Sequence, residues 1–585
     1  MIGVFHADTP PAVPTDTFSL LVPIFLALVS TAYIVLSKML GMHHLNRERQ
    51  QSFPKTYLDS LVNTLDQQRK KIANTLHNYK IQADKSRPPP PIPTVSLRAG
   101  DKTHDKEYRE NQDKFLIRCR AETGPVFKLS IHRLQITVVS DEFIREMFLN
   151  KNFSNVDALN ELMGVKTFLH SLIKSGKNHD ARIQNSIILE HLTPDLPRYL
   201  PEMVRALEAA LVEGFGSNVK GKVFESPVTI IQDMVAGTVF MGAEVANNPK
   251  VLETFVMSMH DFAGVLGLND INIPFWRRWL NLKLNHFNNP LKHRVRTLAE
   301  AATPVILERR RREARLINEG ADAPQFIKER PHDILQKMLD RFDKYGFVDL
   351  EDICGHIMLL ILTSVHTTID ASTAMVYYLA TYPETIPILH REQIQVLDAI
   401  QQERQQERAS RLSKGLEISP DLDPSHDRDL TTKALKRMAH LDSFQREVLR
   451  CRTEALTHFH MARKETILSN GMVISKYGMM LANLTSTHAN NAAAHGLNPA
   501  KFQPWRYVGT FKTMTKVGVD FLPFGMGKHV CPGRFMASQQ TKIVVSLMVS
   551  KFEKIEFQDP SQAARVLRTQ HGNVASPALV FTSRE

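Results

Sequence analysis

Hydrophobic and polar positions along this chain follow several patterns, and the first is an unbroken apolar run. From Thr17 to Ser37 the sequence TFSLLVPIFLALVSTAYIVLS carries no charged residue. As a helix it spans roughly 30 Å, about the thickness of a bilayer core. Asp16 precedes it, and Lys38, Arg47, Arg49 and Lys55 follow. Basic residues on the C-terminal side predict a lumenal tail over 1–16, a transmembrane anchor over 17–40 and a cytosolic remainder. A cleaved signal peptide fits less well, because a basic n-region is missing and the apolar stretch is too long.

Downstream, Leu58, Leu61, Leu65, Ile72 and Leu76 recur at roughly helical spacing beside Arg69, Lys70 and Lys71. Two readings stay open, a helix lying on an anionic membrane surface and a solvated stalk. RPPPPIP, from Arg87 to Pro93, excludes an interior helix and reads as a stiff extended spacer rather than an SH3-type ligand. Residues 41–93 thus form a stalk and Pro-rich hinge. Beyond it the pattern predicts one domain over 94–585, mainly α-helical with small β-sheets. FKLSIHRLQITVVS, Phe127 to Ser140, has the β-branched alternation of a hairpin. The stretch from Ile353 to Ala380 is apolar almost all round, as a helix crossing an interior would be. Its polar interruption, TSVHTT from Thr363 to Thr368, stands out. Residues 401–430, polar and containing Pro and Asp, read as a surface excursion.

Composition narrows the class. The 585 residues suit one large catalytic domain with appendages, and 43% apolar content excludes a disordered chain. Cys119, Cys354, Cys451 and Cys531 are scattered without a CxxC pair, so neither a disulfide framework nor a cysteine-rich zinc site is indicated. The net charge of +12 permits nucleic acid, anionic lipid or an acidic protein as partner. The basic run Arg309 to Arg312 within LERRRREAR lacks interleaved aromatics, which favours a solvated helix face over a nucleic-acid site.

Candidate chemistry concentrates in FLPFGMGKHVCPGRF, Phe521 to Phe535. Pro532 is favoured at the first helical position, and GRFMASQQTKIVVSLMV continues as a helix with Ile543, Val544, Leu547 and Met548 on one side. Cys531 therefore sits at a helix start, where backbone N–H groups favour a thiolate. Gly525, Gly527 and Gly533 allow close backbone approach to something flat and large. His529 and Lys528 stand beside it. Upstream, Glu447 and Arg450 lie at i and i+3, and FQPWRY supplies Phe502, Pro504 and Arg506.

Phe524, Gly527, Cys531 and Gly533 match F-x-x-G-x-x-x-C-x-G, which resembles the haem-binding loop of the cytochrome P-450 superfamily. The order ExxR, then F-x-P-x-R, then the cysteine loop also resembles that family over residues 94–585. The resemblance implies a P-450 fold around one haem b, with Cys531 as axial ligand of the haem iron. It implies a buried network of Glu447, Arg450 and Arg506 that steadies the haem side. The helix bearing TSVHTT looks like the oxygen-binding helix. There Thr367 takes the place of the catalytic alcohol, Ser364 replaces a glycine and His366 replaces the usual acid. A histidine before paired threonines resembles fungal members that oxidise terpenoids and other secondary metabolites. Arg463 and His529 resemble haem-propionate partners, whereas the family's W-x-x-x-R helix has no counterpart near Lys174 to Thr193.

The implied activity is monooxygenation of a hydrophobic, terpenoid or steroid-like substrate at the endoplasmic reticulum membrane, without nucleic acid. Electrons would come from NADPH through a separate cytochrome P-450 reductase, with cytochrome b5 as a further candidate donor. Lys528 and Arg534 would contribute to the docking surface, and the substrate pocket would draw on residues 150–280. Two alternatives remain: a haem-thiolate isomerase or dehydratase needing no reductase, and a non-catalytic membrane-anchored haem protein or scaffold.

Overall fold

The computed structural model describes residues 89–131, 134–163, 172–175, 182–215, 223–224, 237–266, 289–319, 330–419, 422–452, 456–563 and 577–584. The expected anchor, most of the stalk, and much of the expected pocket region over 150–280 lie outside the described residues. The chain divides into two units, one of residues 1–92 with 465–474, the other of 93–464 with 475–585. In the first, strands Thr466–Ile467 and Val473–Ile474 pair as a short antiparallel hairpin. The second carries the chemistry.

In the larger unit β-branched residues make the sheets. Strands β1 (Val126–Ile131) and β2 (Leu134–Val139) form the expected hairpin, Val126 opposite Val139. They belong to a five-stranded sheet that also includes β3 (Phe153–Ser154), β5 (Leu456–Ala462) and β8 (Met479–Asn483), in the order β1-β2-β8-β5-β3. Strand β4 (Val223–Phe224) joins β9 (Phe552–Phe557) and β10 (Leu579–Ser583) in a second sheet, with β6 and β7 being the hairpin of the smaller unit.

Helices build the rest. They include α1 (Gln112–Thr123), α2 (Glu142–Leu149), α3 (Pro290–Asn318), α4 (Leu350–Thr381), α5 (Thr385–Ser413), α6 (Ala439–Arg452) and α7 (Arg534–Lys551). Helix α4 is the core helix that its apolar pattern predicted, with Ile353, Ile357, Met358 and Ile361 fully buried. It is long and apolar enough to cross a membrane, yet 76% of its most apolar window is buried inside the protein. Ile543, Val544, Leu547 and Met548 of α7 are buried in the same core, and α7 packs along α4.

Two expectations need correction. Arg310 to Arg312 do form a solvated face of α3, but Arg309 is buried. Its guanidinium forks onto the Asp333 carboxylate at 3.2 and 2.7 Å and donates to Glu244 at 2.8 Å. A buried guanidinium requires such partners, and the polar run in the sequence did not reveal them. The 401–430 excursion is also only partly irregular. Through Ser413 it continues α5, from which Arg404 and Arg408 reach buried Asp427 at 3.0 and 2.7 Å.

The start of α4 is fixed by two residues. Asp349 caps it, accepting the Asp352 N–H at 2.9 Å. Asp352, itself buried, accepts N–H bonds from Lys174 (2.7 Å), Ser175 (3.1 Å) and Val348 (3.1 Å). A Cβ at Gly355 would lie 2.4 Å from the Leu172 carbonyl oxygen, so glycine alone permits this approach. One turn on, His356 is held between Ser175 Oγ (2.9 Å) and Gln184 Nε2 (2.7 Å). Burial pulls this imidazole down to about 4, against the pull of Asp352. The neutral ring accepts from the Gln184 amide at Nδ1 and donates from Nε2 to Ser175.

Asp352→Ala should strand buried N–H groups and lower stability by about 3 kcal/mol, with Asp352→Asn milder, as thermal unfolding will measure. His356 binds a proton less readily folded than unfolded. Its contribution is therefore present above the unfolded value of ~6.5 and lost as pH falls towards the folded one. Denaturant unfolding at a series of pH values should show that acid loss reduced in His356→Gln; an unchanged slope would refute it.

Candidate active site

The cysteine loop begins in the buried core. Phe521 and Leu522 are both fully buried. A turn then closes by the Gly525 N–H donating to the Leu522 carbonyl at 2.9 Å. Gly525 and Gly527 take φ of +67° and +68°, and a Cβ on Gly527 would meet Leu149 Cδ2 of α2 at 3.2 Å. These two glycines turn the chain where any other residue would be strained. After a short 3₁₀ turn, Gly527–His529, the Cys531 N–H donates to the Phe524 carbonyl at 2.9 Å. Phe524 thus contributes its backbone to the loop, and its ring lies 6.5 Å from that of Phe521.

Gly533 is the N-cap of α7. Burial pushes the Cys531 thiol up, partly offset by the backbone of Gly533 and Arg534 and by the Arg534 charge; a Cβ at Gly533 would lie 4.0 Å from the sulfur. Helix α7 begins at Arg534, two residues after Pro532, the residue expected in the first helical position. In the other three cysteines burial raises the thiol to about 12 in each case. Cys531 is partly accessible, and a cation at its sulfur would replace the thiol proton.

Behind the loop lies the expected ion network. Glu447, wholly buried on α6, receives Arg450 in a fork at 2.7 and 2.7 Å. It also receives the Arg506 Nε–H at 2.9 Å and the Gln503 N–H at 3.0 Å. The guanidiniums turn their remaining donors to main-chain carbonyls. Arg450 reaches those of His488 and Pro499, and Arg506 those of His495 and Lys501. Glu447, Arg450 and Arg506 thus form one buried network.

Helix α4 presents its polar interruption as a stripe. Thr363 and Thr367, one turn apart, are the exposed positions among the described side chains of 352–381. Each hydroxyl donates to the turn before it: Thr367 to the Thr363 carbonyl at 2.9 Å, Thr363 to that of Leu359 at 2.9 Å. Thr368 does likewise to Ser364 at 2.7 Å but is buried. The side chain of His366 lies outside the described residues.

The propionate candidates are less simply placed. Arg463, 53% exposed, donates to Asp157 at 2.6 Å and to Ser154 Oγ at 3.1 Å. His529 is exposed. Its imidazole is lowered by burial, then by the nearby charges of Lys528 and Arg463.

Two histidines without a role assigned from sequence, His458 and His460 of HFH, pack edge-on against Phe148 of α2 at 5.3 and 5.0 Å. A bulge between Thr457 and His460 interrupts the β5–β8 ladder there, with His458 at φ +60°. His460 Nδ1 donates to the His458 carbonyl at 2.9 Å. Its Nε2 is buried without a partner. Burial lowers this ring to about 4, and His458, His529 and Lys528 add to that. An anionic carboxylate arriving here would favour protonation of the ring from solvent, and the vacant nitrogen could then donate to it. The repeated histidines just after ExxR were the available signal.

This arrangement can be compared with known proteins. The sequence matches the family described as Cytochrome P450 over residues 87–577. Cytochrome P450 monooxygenase 151 of Postia placenta is 26% identical, covering 74% of this chain and 81% of that protein. Cytochrome P450 monooxygenase ntnM of a Nectria species is 23% identical, covering 76% and 78%. Dihydro-ML-236C monooxygenase of Penicillium citrinum is 21% identical, covering 64% and 66%. Among solved structures, the retinoic acid-bound cyanobacterial CYP120A1 superposes with a TM-score of 0.52 at 18% identity. That match covers 85% of this chain and all of the other, a likeness of fold. The chain belongs to the cytochrome P450 family and is a haem monooxygenase.

Proposed function

We propose that Cys531 holds the haem iron and that the protein hydroxylates a terpenoid or steroid-like lipid. Electrons come from NADPH through a separate reductase, with cytochrome b5 as an auxiliary donor. The observation that carries the ligand assignment is the glycine-turned loop that seats a partly accessible Cys531 just before α7, its N–H bonded to the Phe524 carbonyl. When bound, the haem supplies activation of molecular oxygen for insertion into a C–H bond, and the thiolate favours O–O cleavage.

The chain's residues fit such a group. The sulfur is positioned by the Phe524 carbonyl and the start of α7. His460 Nε2, once protonated, would donate to a haem carboxylate, with His529 nearby. Arg463 would have to share itself with Asp157 to take part. The Thr367 proton is committed to main-chain carbonyls, so the lone pairs of Oγ1 are free to accept a hydrogen bond on the exposed side. That hydroxyl can then orient a proton donor, and His366, its neighbour in sequence, is the proposed second member of the relay. The preference for a terpenoid or steroid-like substrate rests on the His-Thr-Thr resemblance and on the fungal origin of the relatives. Insertion into the endoplasmic reticulum membrane rests on the charge-free run 17–37 and its basic flank. Lys528 and Arg534 are proposed to face the reductase.

Reduced, CO-treated protein should show the strongly red-shifted Soret band of thiolate-ligated haem, and Cys531→Ser should abolish it. Retention of that band in Cys531→Ser would refute the ligand assignment. Thr367→Ala should lower product per NADPH consumed by about tenfold and raise peroxide release, water partly replacing the hydroxyl. Unchanged coupling would remove Thr367 from the relay. Product analysis of microsomes with reductase and a panel of hydrophobic substrates tests the substrate class, and turnover without NADPH would overturn monooxygenation there.

A further inference from the structure

Leu522 is gripped from both sides by imidazoles. Its N–H donates to His488 Nε2 at 3.2 Å, and its carbonyl accepts from His458 Nε2 at 2.7 Å. The two rings come from different elements. His458 lies on the bulge of β5, and His488 in a π-helical turn, Thr485–Ala489, just after β8. The residue before Leu522 is fixed as well. The Arg446 guanidinium lies 3.8 Å over the Phe521 ring and donates to the Thr513 and Lys516 carbonyls at 2.6 and 2.7 Å.

The hydrogen bonds settle the tautomers. His488 accepts at Nε2, so its neutral ring carries the proton on Nδ1, which is buried without a partner. An unsatisfied buried donor is destabilising. Replacing the ring by an apolar side chain would remove that orphan and create another, the Leu522 N–H. In stability the exchange is close to balanced, so the imidazole's contribution is where it holds the chain.

From the gripped residue the path to the sulfur is short. The Leu522 carbonyl also receives the Gly525 N–H, and the Phe524 carbonyl receives the Cys531 N–H. In the other direction, the His488 carbonyl is the acceptor for Arg450. His488 therefore joins the Glu447–Arg450–Arg506 network, through its backbone, to the cysteine loop, through its ring.

We infer that His488, seconded by His458, is the positioning residue that sets the Cys531 loop against the ion network. This rests on Cys531 being the haem ligand. It touches neither substrate nor haem iron; its action is to hold the loop so that the sulfur stays in place. His488→Gln keeps an acceptor where Nε2 stands, whereas His488→Leu removes it.

The test uses the full-length, haem-loaded protein, with the reduced CO spectrum and far-UV helical signal measured together. His488→Leu should lose most of the red-shifted Soret intensity to the ordinary haem position with helical content unchanged, and His488→Gln should restore it. A full red-shifted band in His488→Leu overturns the positioning role while leaving the Cys531 assignment standing. Absence of that band in the wild-type protein overturns the Cys531 assignment, and this inference with it. If His488→Leu fails to fold, His458→Phe, which keeps a ring but not the donor, should show the same spectral loss. Hydrogen exchange in the wild-type protein reads the grip directly: the Leu522 amide should exchange slowly, and fast exchange would overturn the inference.

Discussion

One buried anion organises the proximal half of this protein. Glu447 has no contact with solvent, and a carboxylate in that position is tolerable only with its oxygens fully occupied. Two guanidiniums and one backbone N–H occupy them. Each guanidinium carries five N–H donors, and donors beyond those given to Glu447 reach main-chain carbonyls of the stretch after β8. A segment of short helical turns and loops thus acquires a fixed path from side chains on a helix and a turn. The cysteine loop follows that segment in the chain.

The core helix α4 meets a different demand. It must be apolar enough to lie inside the protein and yet present hydroxyls partway along. Bonding those hydroxyls to the preceding turn makes this compatible, since each hydroxyl proton has an acceptor within the helix. The back-bonding that one would write for structural threonines and the exposure one would want of functional ones occur together at Thr363 and Thr367. They are not competing descriptions.

Much of this was legible in the sequence because it is local. The β1–β2 hairpin, the extent of α4, the start of α7 and the glycine turn all follow from periodicity, Pro and Gly positions within a few residues. The joining of Glu447 with Arg506 became readable through resemblance, since nothing in the spacing of 59 residues states a contact. What escaped were pairings set by the fold alone. Arg309 in a basic run reads as a solvated charge until Asp333 is brought beside it. His458, His460 and His488 read as ordinary histidines until a strand bulge and a π-helical turn bring them to the loop and its neighbour Phe148. Arg463 looked like an anion partner, and Asp157, more than three hundred residues earlier, proved to be its neighbour.

The docking of 172–175 onto α4 has a consequence for how such a chain can change over time. Asp352 holds that segment by its N–H groups, and Gly355 makes room for its main-chain oxygen. The joint reads the backbone and is largely indifferent to the side chains of its partner. Arg450 and Arg506 do the same with the carbonyls that they hold. Substitutions can accumulate freely in the gripped segments provided that a few gripping residues persist, so a fold joined in this way can survive drift to the 21–26% identity seen among the fungal relatives compared.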